Sequence, residues 1–146
     1  MYSIIIVEDE YLVRQGIAFL VDYEQFGMQV IAQAENGREA WQKFQENPAD
    51  ILLTDINMPQ MNGLELAKLV RDQAPKCHIV FLTGYDDFDY ARTAIKLGAD
   101  DYLLKPFSKD DVEEMLAKVQ TKLDKERKKA QIQNLVDQGQ RSELEE

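Results

Sequence analysis

The chain has 146 residues, a formal net charge of −10 and one cysteine, Cys77. That length gives a single domain with room for a full core, and no apolar run approaches the ~20 residues of a membrane span. The acidity argues against nucleic-acid binding by this segment, because phosphate backbones need a basic face. One cysteine permits no internal disulfide, and Glu8 and Asp9 end the first apolar run too early for a signal peptide, so a cytoplasmic location is expected.

Ser3 to Val7 reads as a buried strand, short, β-branched and closed by two acids. Glu10 to Val21 places Val13, Gly16, Ile17 and Leu20 at the spacing of one helical face. Met28 to Ala34 alternates as a second strand. Asn36-Gly37 reads as a turn, and Ala40, Trp41 and Phe44 line a short helix stopped at Asn47-Pro48. Ile51 to Thr54 is a third strand and runs into Asp55, followed by the Met58-Pro59 turn and Asn62-Gly63. Leu66, Leu69 and Val70 then share a helical face. His78 to Leu82 is a fourth strand, followed by Thr83-Gly84. Asp86 to Leu97 is predicted helical, with Phe88, Ala91 and Ile95 inward and Gly98 as its cap. Asp101 to Leu104 is a fifth strand stopped by Lys105-Pro106, and Ser108 with Asp111 resembles a capping box, which would open a helix through Val112, Leu116, Val119 and Leu123.

Five strand–helix alternations predict an α/β, doubly wound, five-stranded parallel sheet with helices on both faces, for which the flavodoxin-like order 2-1-3-4-5 is the expected winding. The domain is expected over residues 1–123. Beyond it, Lys125 to Lys129 is a charge run and only Ile132, Leu135 and Val136 return at helical spacing. Residues 124–146 therefore read as a helical linker or tail towards an output domain absent from this chain, with Ser142 to Glu146 frayed.

All the chemistry-bearing residues end strands on the carboxyl side: Glu8-Asp9, Asp55, Thr83 and Lys105. In this strand order the first and third strands flank the point where the winding reverses, which brings Glu8, Asp9 and Asp55 together. Three carboxylates at close quarters need a counter-charge, and Mg²⁺ fits because it takes oxygen ligands, few carboxylates and phosphate. Lys105 can neutralise a phosphoryl oxygen and the Thr83 hydroxyl can donate to another, so Asp55 reads as a nucleophile that accepts a phosphoryl group.

The segments Ile6-Val7-Glu8-Asp9-Glu10, Thr54-Asp55-Ile56-Asn57-Met58-Pro59 with Asn62-Gly63, Leu82-Thr83-Gly84 and Gly98 to Pro106 resemble, in order and register, the receiver domain of two-component response regulators over residues 2 to about 123. The resemblance implies that Asp55 is the phosphoacceptor and takes its phosphoryl group from a sensor histidine kinase. It implies Mg²⁺ held by Glu8, Asp9, Asp55 and the backbone carbonyl of Asn57, and a switch pair of Thr83 and Tyr102. It also implies a cis peptide bond before Pro106. Such a protein is a signalling component rather than an enzyme, limited to self-catalysed phosphoryl acceptance and slow autodephosphorylation. Its switched face, roughly residues 86–123, would control an output domain, with transcription regulation expected and homodimerisation on phosphorylation possible; the style of the sequence suggests an AraC-type output.

The chain departs from the commonest pattern at three places. Glu8 stands where aspartate is usual and, reaching further, is expected to hold the metal through a water. A bulky Tyr85 follows Gly84 and is expected to shield the phosphoryl group from water. Of the charges used in one kind of regulator dimer, only Lys96 and Asp100 or Asp101 are recognisable. Cys77 reads as a small buried hydrophobe, Trp41 as packing, and His78 as a residue without a role.

Three other functions compete. A stand-alone receiver acting by docking does not need the helix past Leu123. A phosphatase of the haloacid dehalogenase kind needs a general acid two residues after the nucleophile, where Asn57 stands. A flavodoxin-like nucleotide or flavin binder needs a loop rich in glycine, serine or threonine after the first strand, where Glu8-Asp9-Glu10 would repel phosphate.

Overall fold

The computed structural model describes residues 1–84, 89, 92, 96 and 98–145. The strands are β1 (Tyr2–Val7), β2 (Met28–Ala34), β3 (Ile51–Asp55), β4 (His78–Thr83) and β5 (Asp101–Leu104). All pair in parallel, as expected from the alternation, and in the expected order β2-β1-β3-β4-β5. The helices are α1 (Tyr11–Leu20), α2 (Gly37–Glu46), α3 (Gly63–Gln73) and α4 (Lys109–Glu145). Most of the helix expected over Asp86–Leu97, with Phe88, Ala91 and Ile95, lies outside the described residues, as does Tyr85.

Side chains alternate across the sheet with period two, and both faces are covered. Ile4, Ile6, Ile51 and Leu53 pack with Ile17 of α1 and with Val112, Leu116 and Val119 of α4. Ile5, Val7 and Leu52 pack with Ala40 and Phe44 of α2 and Leu66 and Val70 of α3. The central strands β1, β3 and β4 therefore read as apolar runs, and their first polar residues mark where the sheet ends.

Helix starts follow from local chemistry. Asn36 and Asn62 each accept a hydrogen bond from the backbone N–H three residues on, capping α2 and α3. Asn36-Gly37, expected as a turn, is thus a helix start. The predicted capping box exists: Ser108 Oγ accepts from Asp111 N at 3.2 Å while Ser108 N donates to Asp111 Oδ2 at 2.9 Å. The inward face of α1 differs from the expected one. Ile17 is buried, but Gly16 and Leu20 are exposed, because the face is centred on the row Val13, Ile17 and Val21, from which residue 16 is turned by about 100°. A short 3₁₀ turn at Tyr23–Phe26, not anticipated, closes on Gly27 in the left-handed region. The last helix runs unbroken for 37 residues, far past the last core residue, Leu123.

Candidate functional site

The carboxyl ends of β1, β3 and β4 with the residue after β5 form the site. Asp55 closes β3 and is 5% exposed. Its Oδ1 accepts from Ile56 N at 2.8 Å, which holds the carboxylate at the rim. Gly63, the first residue of α3, lies so close that a Cβ there would come within 2.0 Å of the Asp55 carbonyl oxygen. Only glycine permits this approach, and Gly63 N donates to Ile56 O at 2.8 Å, tying the start of α3 to the turn beyond Asp55. The Asn62-Gly63 pair thus caps a helix and positions the acid in one step.

Glu8, the residue after β1, is fully buried. Arg14 of α1 donates to its carbonyl oxygen at 2.7 Å. Lys105 Nζ lies 2.9 and 3.0 Å from the two Glu8 carboxylate oxygens and 3.4 Å from Asp55 Oδ2. Two buried carboxylates share one ammonium, and it sits closer to Glu8. The consequences follow from burial and charge. Burial pushes Glu8 upward, against the lowering effect of its Lys105 hydrogen bond. Burial and then the charge of Glu8 push Asp55 up to about 7, with Lys105 opposing. Lys105 is pulled down by burial, but the Glu8 hydrogen bond and the two acidic charges outweigh this and raise it.

Among the described residues, Glu8, Asp9 and Asp55 each offer a carboxylate oxygen within 4.8 Å of the others. Asp9 is exposed, so the group opens to solvent on one side. Oxygen donors, excess negative charge and that opening suit Mg²⁺, whose opposite ligands stand about 4 Å apart. Both Glu8 oxygens already meet Lys105, whereas Asp9 is the open ligand. On β4, Thr83 is fully buried and its hydroxyl donates to Gly84 O at 3.2 Å. The Thr83 carbonyl accepts from Lys105 N at 2.6 Å, so the hydroxyl-bearing strand end and the lysine are joined through the backbone. The Lys105–Pro106 peptide bond is cis, as expected. Tyr102 is half-buried against the cluster on the α2–α3 face, three strands away from Glu8.

The family model described as "Response regulator receiver domain" matches residues 4–117. This chain is a response regulator receiver domain. The receiver is 34% identical over 141 residues to the uncharacterized transcriptional regulatory protein YesN of Bacillus subtilis, covering 94% of this chain and 38% of that relative. It is 40% identical over 112 residues to the transcriptional regulatory protein LnrK of the same organism, covering 77% and 50%. Among solved structures, the REC domain of AraT, a response regulator from Geobacillus stearothermophilus, superposes with a TM-score of 0.83 at 43% identity, covering 86% of this chain and 98% of that one. A two-component transcriptional regulator AraC from Clostridium phytofermentans gives 0.78 at 34% identity, with 85% and 97% covered. The chain thus spans half or less of the length of these two curated relatives. Response regulator receivers serve signalling in general, so the family match favours the receiver reading over the phosphatase and nucleotide-binding alternatives.

Of the residues singled out from sequence, the receiver brings Glu8, Asp9, Asp55 and Lys105 together, with Thr83 at the neighbouring strand end. Three others were missed or misjudged. Gly63 carried its signal in the Asn-Gly pair beside the acid. Arg14 gave none, since its use depends on how α1 leaves β1. His78, read as having no role, is a buried hub. Its Nε2 lies 3.2 and 3.1 Å from the Glu126 carboxylate oxygens, and its Nδ1 is 3.5 Å from Asp100 Oδ1. Asp100, considered as a dimer contact, is engaged within the chain, accepting from Ile79 N at 2.7 Å and pairing with Arg71 at 3.4 Å.

Proposed function

We propose that Asp55 accepts a phosphoryl group from the phosphohistidine of a sensor kinase and that the receiver thereby controls an output unit. An Asp55 carboxylate oxygen forms the new bond to phosphorus, the phosphorus–nitrogen bond of the donor breaks, and the leaving imidazole recovers a proton. Mg²⁺, held by Asp9, Asp55, the Asn57 backbone carbonyl and Glu8, would neutralise charge on the phosphoryl group. Lys105 would contribute its ammonium and Thr83 its hydroxyl to phosphoryl oxygens, and transfer of this kind rests on such positioning and neutralisation. The observation that carries the reading is the juxtaposition of a strand-end carboxylate, 5% exposed, with the Lys105 ammonium at 3.4 Å and an open acidic neighbour.

On this reading Lys105 has two tasks in turn. Before phosphorylation it compensates Glu8 and Asp55; afterwards it attends the phosphoryl group. Thr83 and Tyr102 act as the switch pair, with the ring moving inward as the hydroxyl turns to the phosphoryl oxygen, and the 86–123 face changes with them. Residues 124–146 then serve as the link to an output unit for transcription regulation in the cytoplasm, consistent with relatives that are longer transcriptional regulators. Homodimerisation accompanies phosphorylation. Asn57 cannot serve as a general base, so loss of the phosphoryl group is slow; Tyr85 would shield it further. The test is intact mass after acetyl phosphate and Mg²⁺. One phosphate on the parent and none on Asp55→Asn is expected, and equal labelling of both proteins would reject the reading.

A further inference from the structure

The end of the sheet opposite the phosphoacceptor holds a second group of titratable side chains, gathered around the buried His78, which the receiver reading does not use. His78 opens β4, and its side chain is only 4% exposed. The packed part of α4 ends at Leu123, yet the helix continues to Glu145, about 33 Å further on at the α-helical rise. Over that length Ile132, Leu135 and Val136 are 48–68% exposed, so apolar packing does not hold the helix there. Polar contacts take over just where the packing ends. The Tyr2 hydroxyl donates to Asp124 Oδ1 at 2.6 Å, Lys122 Nζ reaches Asp100 O at 3.4 Å, and His78 Nε2 meets both oxygens of Glu126.

These contacts differ in how firmly the domain side is fixed. Tyr2, at the first residue of β1, is only half-buried, although its backbone N donates to Gly27 O at 2.8 Å, and its partner Asp124 is solvent-exposed. His78 is held by the sheet: its backbone N donates to Asp50 O at 2.9 Å, and β4 is paired on both sides. Asp100 flanks the other ring nitrogen, and is itself fixed by Ile79 N and Arg71, which also donates to the carbonyls of Pro75, Cys77 and Gly98. Nδ1 of the buried ring makes no hydrogen bond among the described residues, so the close polar partner of the ring is Glu126, whose carboxylate oxygens stand 3.2 and 3.1 Å from Nε2 one helical turn past the last core residue. A half-exposed glutamate on a long helix would otherwise prefer water, because surface pairs contribute little. Here one partner is pre-positioned, so little entropy is lost on its side.

We propose that His78 is an anchor that fixes the direction in which α4 leaves the domain, with Glu126 as its partner on the helix. The anchor sits on the strand whose far end, about 17 Å away at the β rise, is Thr83. Its consequence for an output unit rests on the reading given under Proposed function; the anchor itself does not.

The test uses the full chain, metal-free and unphosphorylated, so that no readout depends on Asp55. Spin labels at Glu46→Cys and Lys129→Cys report the distance from the domain to the helix extension; Cys77 is buried and stays unlabelled. Glu126→Ala alters an exposed position and leaves the core intact, and His78→Asn removes the reach of the ring from the other side. Each is expected to broaden the distance distribution on the order of twofold, whereas Lys125→Ala leaves it as in the parent. The double variant is expected to be no broader than either single one, because both remove the same contact. An unchanged distribution in Glu126→Ala, or additive broadening in the double variant, would overturn the anchor.

Discussion

Replacing Asp55 with asparagine should make the metal-free receiver more stable, and by an amount that depends on pH. The carboxylate is 5% exposed, and the acid is pushed up to about 7 by burial and by Glu8, with Lys105 only partly compensating. An unfolded aspartate titrates near 3.9, so the native state binds this proton more tightly than the unfolded state does. Below about pH 4 both states are protonated and burial of the group costs little. As pH rises towards about 7 the unfolded state gives up its proton first, native stability falls, and above that value the full cost remains. A difference of about three pH units corresponds to about 4 kcal/mol, an upper bound because Lys105 and Glu8 readjust. Asp55→Asn removes this titration and keeps a group able to accept from Ile56 N. Urea unfolding of both proteins in chelator, at several pH values, isolates the effect, since groups not coupled to Asp55 cancel in the difference. The variant should gain about 2–4 kcal/mol above pH 7 and lose most of that advantage near pH 4. A gain that is constant across this range, or a loss at high pH, would refute the account of Asp55 as a carboxylate buried at a cost.

Gly63→Ala should destabilise the receiver by about 1–3 kcal/mol or more, since a Cβ 2.0 Å from a backbone oxygen forces α3 away from β3; denaturant unfolding reads it. Millimolar Mg²⁺ should raise the melting temperature of the parent by mass action and fail to do so in Asp9→Ala, the open ligand of the acidic group. Ser108→Ala should cost about 1 kcal/mol through loss of one arm of the capping box, and Asp111→Ala a comparable amount, with less than the sum in the double variant. Beryllofluoride should change amide exchange across 98–123 as well as around Asp55; a change confined to Asp55 would exclude the Thr83–Tyr102 switch.

The fold was legible because β-branched runs, helical periodicity and strand-ending acids agreed at every alternation. The parallel alternation pointed to a doubly wound sheet, and the observed sheet has the 2-1-3-4-5 order expected of that winding. The acidic group was legible for the same reason, since residues that end adjacent strands must meet. What sequence could not supply was the partition of one lysine between two acids. Lys105 faces Glu8 more closely than Asp55 because glutamate is one methylene longer and wholly buried, a matter of reach that strand spacing leaves open. His78 was missed for a related reason. Its partners come from residue 100, before β5, and residue 126, past the core, and only the packing of α4 under the sheet brings them to one ring. The face of α1 was misjudged because Gly16 and Leu20 suit an apolar stripe, while the row Val13, Ile17 and Val21 meets the sheet.

The identity of the phosphorylated residue tests the central claim most directly. Reduction of the acetyl-phosphate-treated receiver with labelled borohydride converts an aspartyl phosphate to homoserine, and peptide mass spectrometry then locates the label. The account predicts homoserine at position 55 alone, dependent on Mg²⁺ and absent when Lys105 is replaced by alanine or nearly so. Label at Asp9 or at another acid, or full labelling of position 55 without a divalent ion, would contradict it.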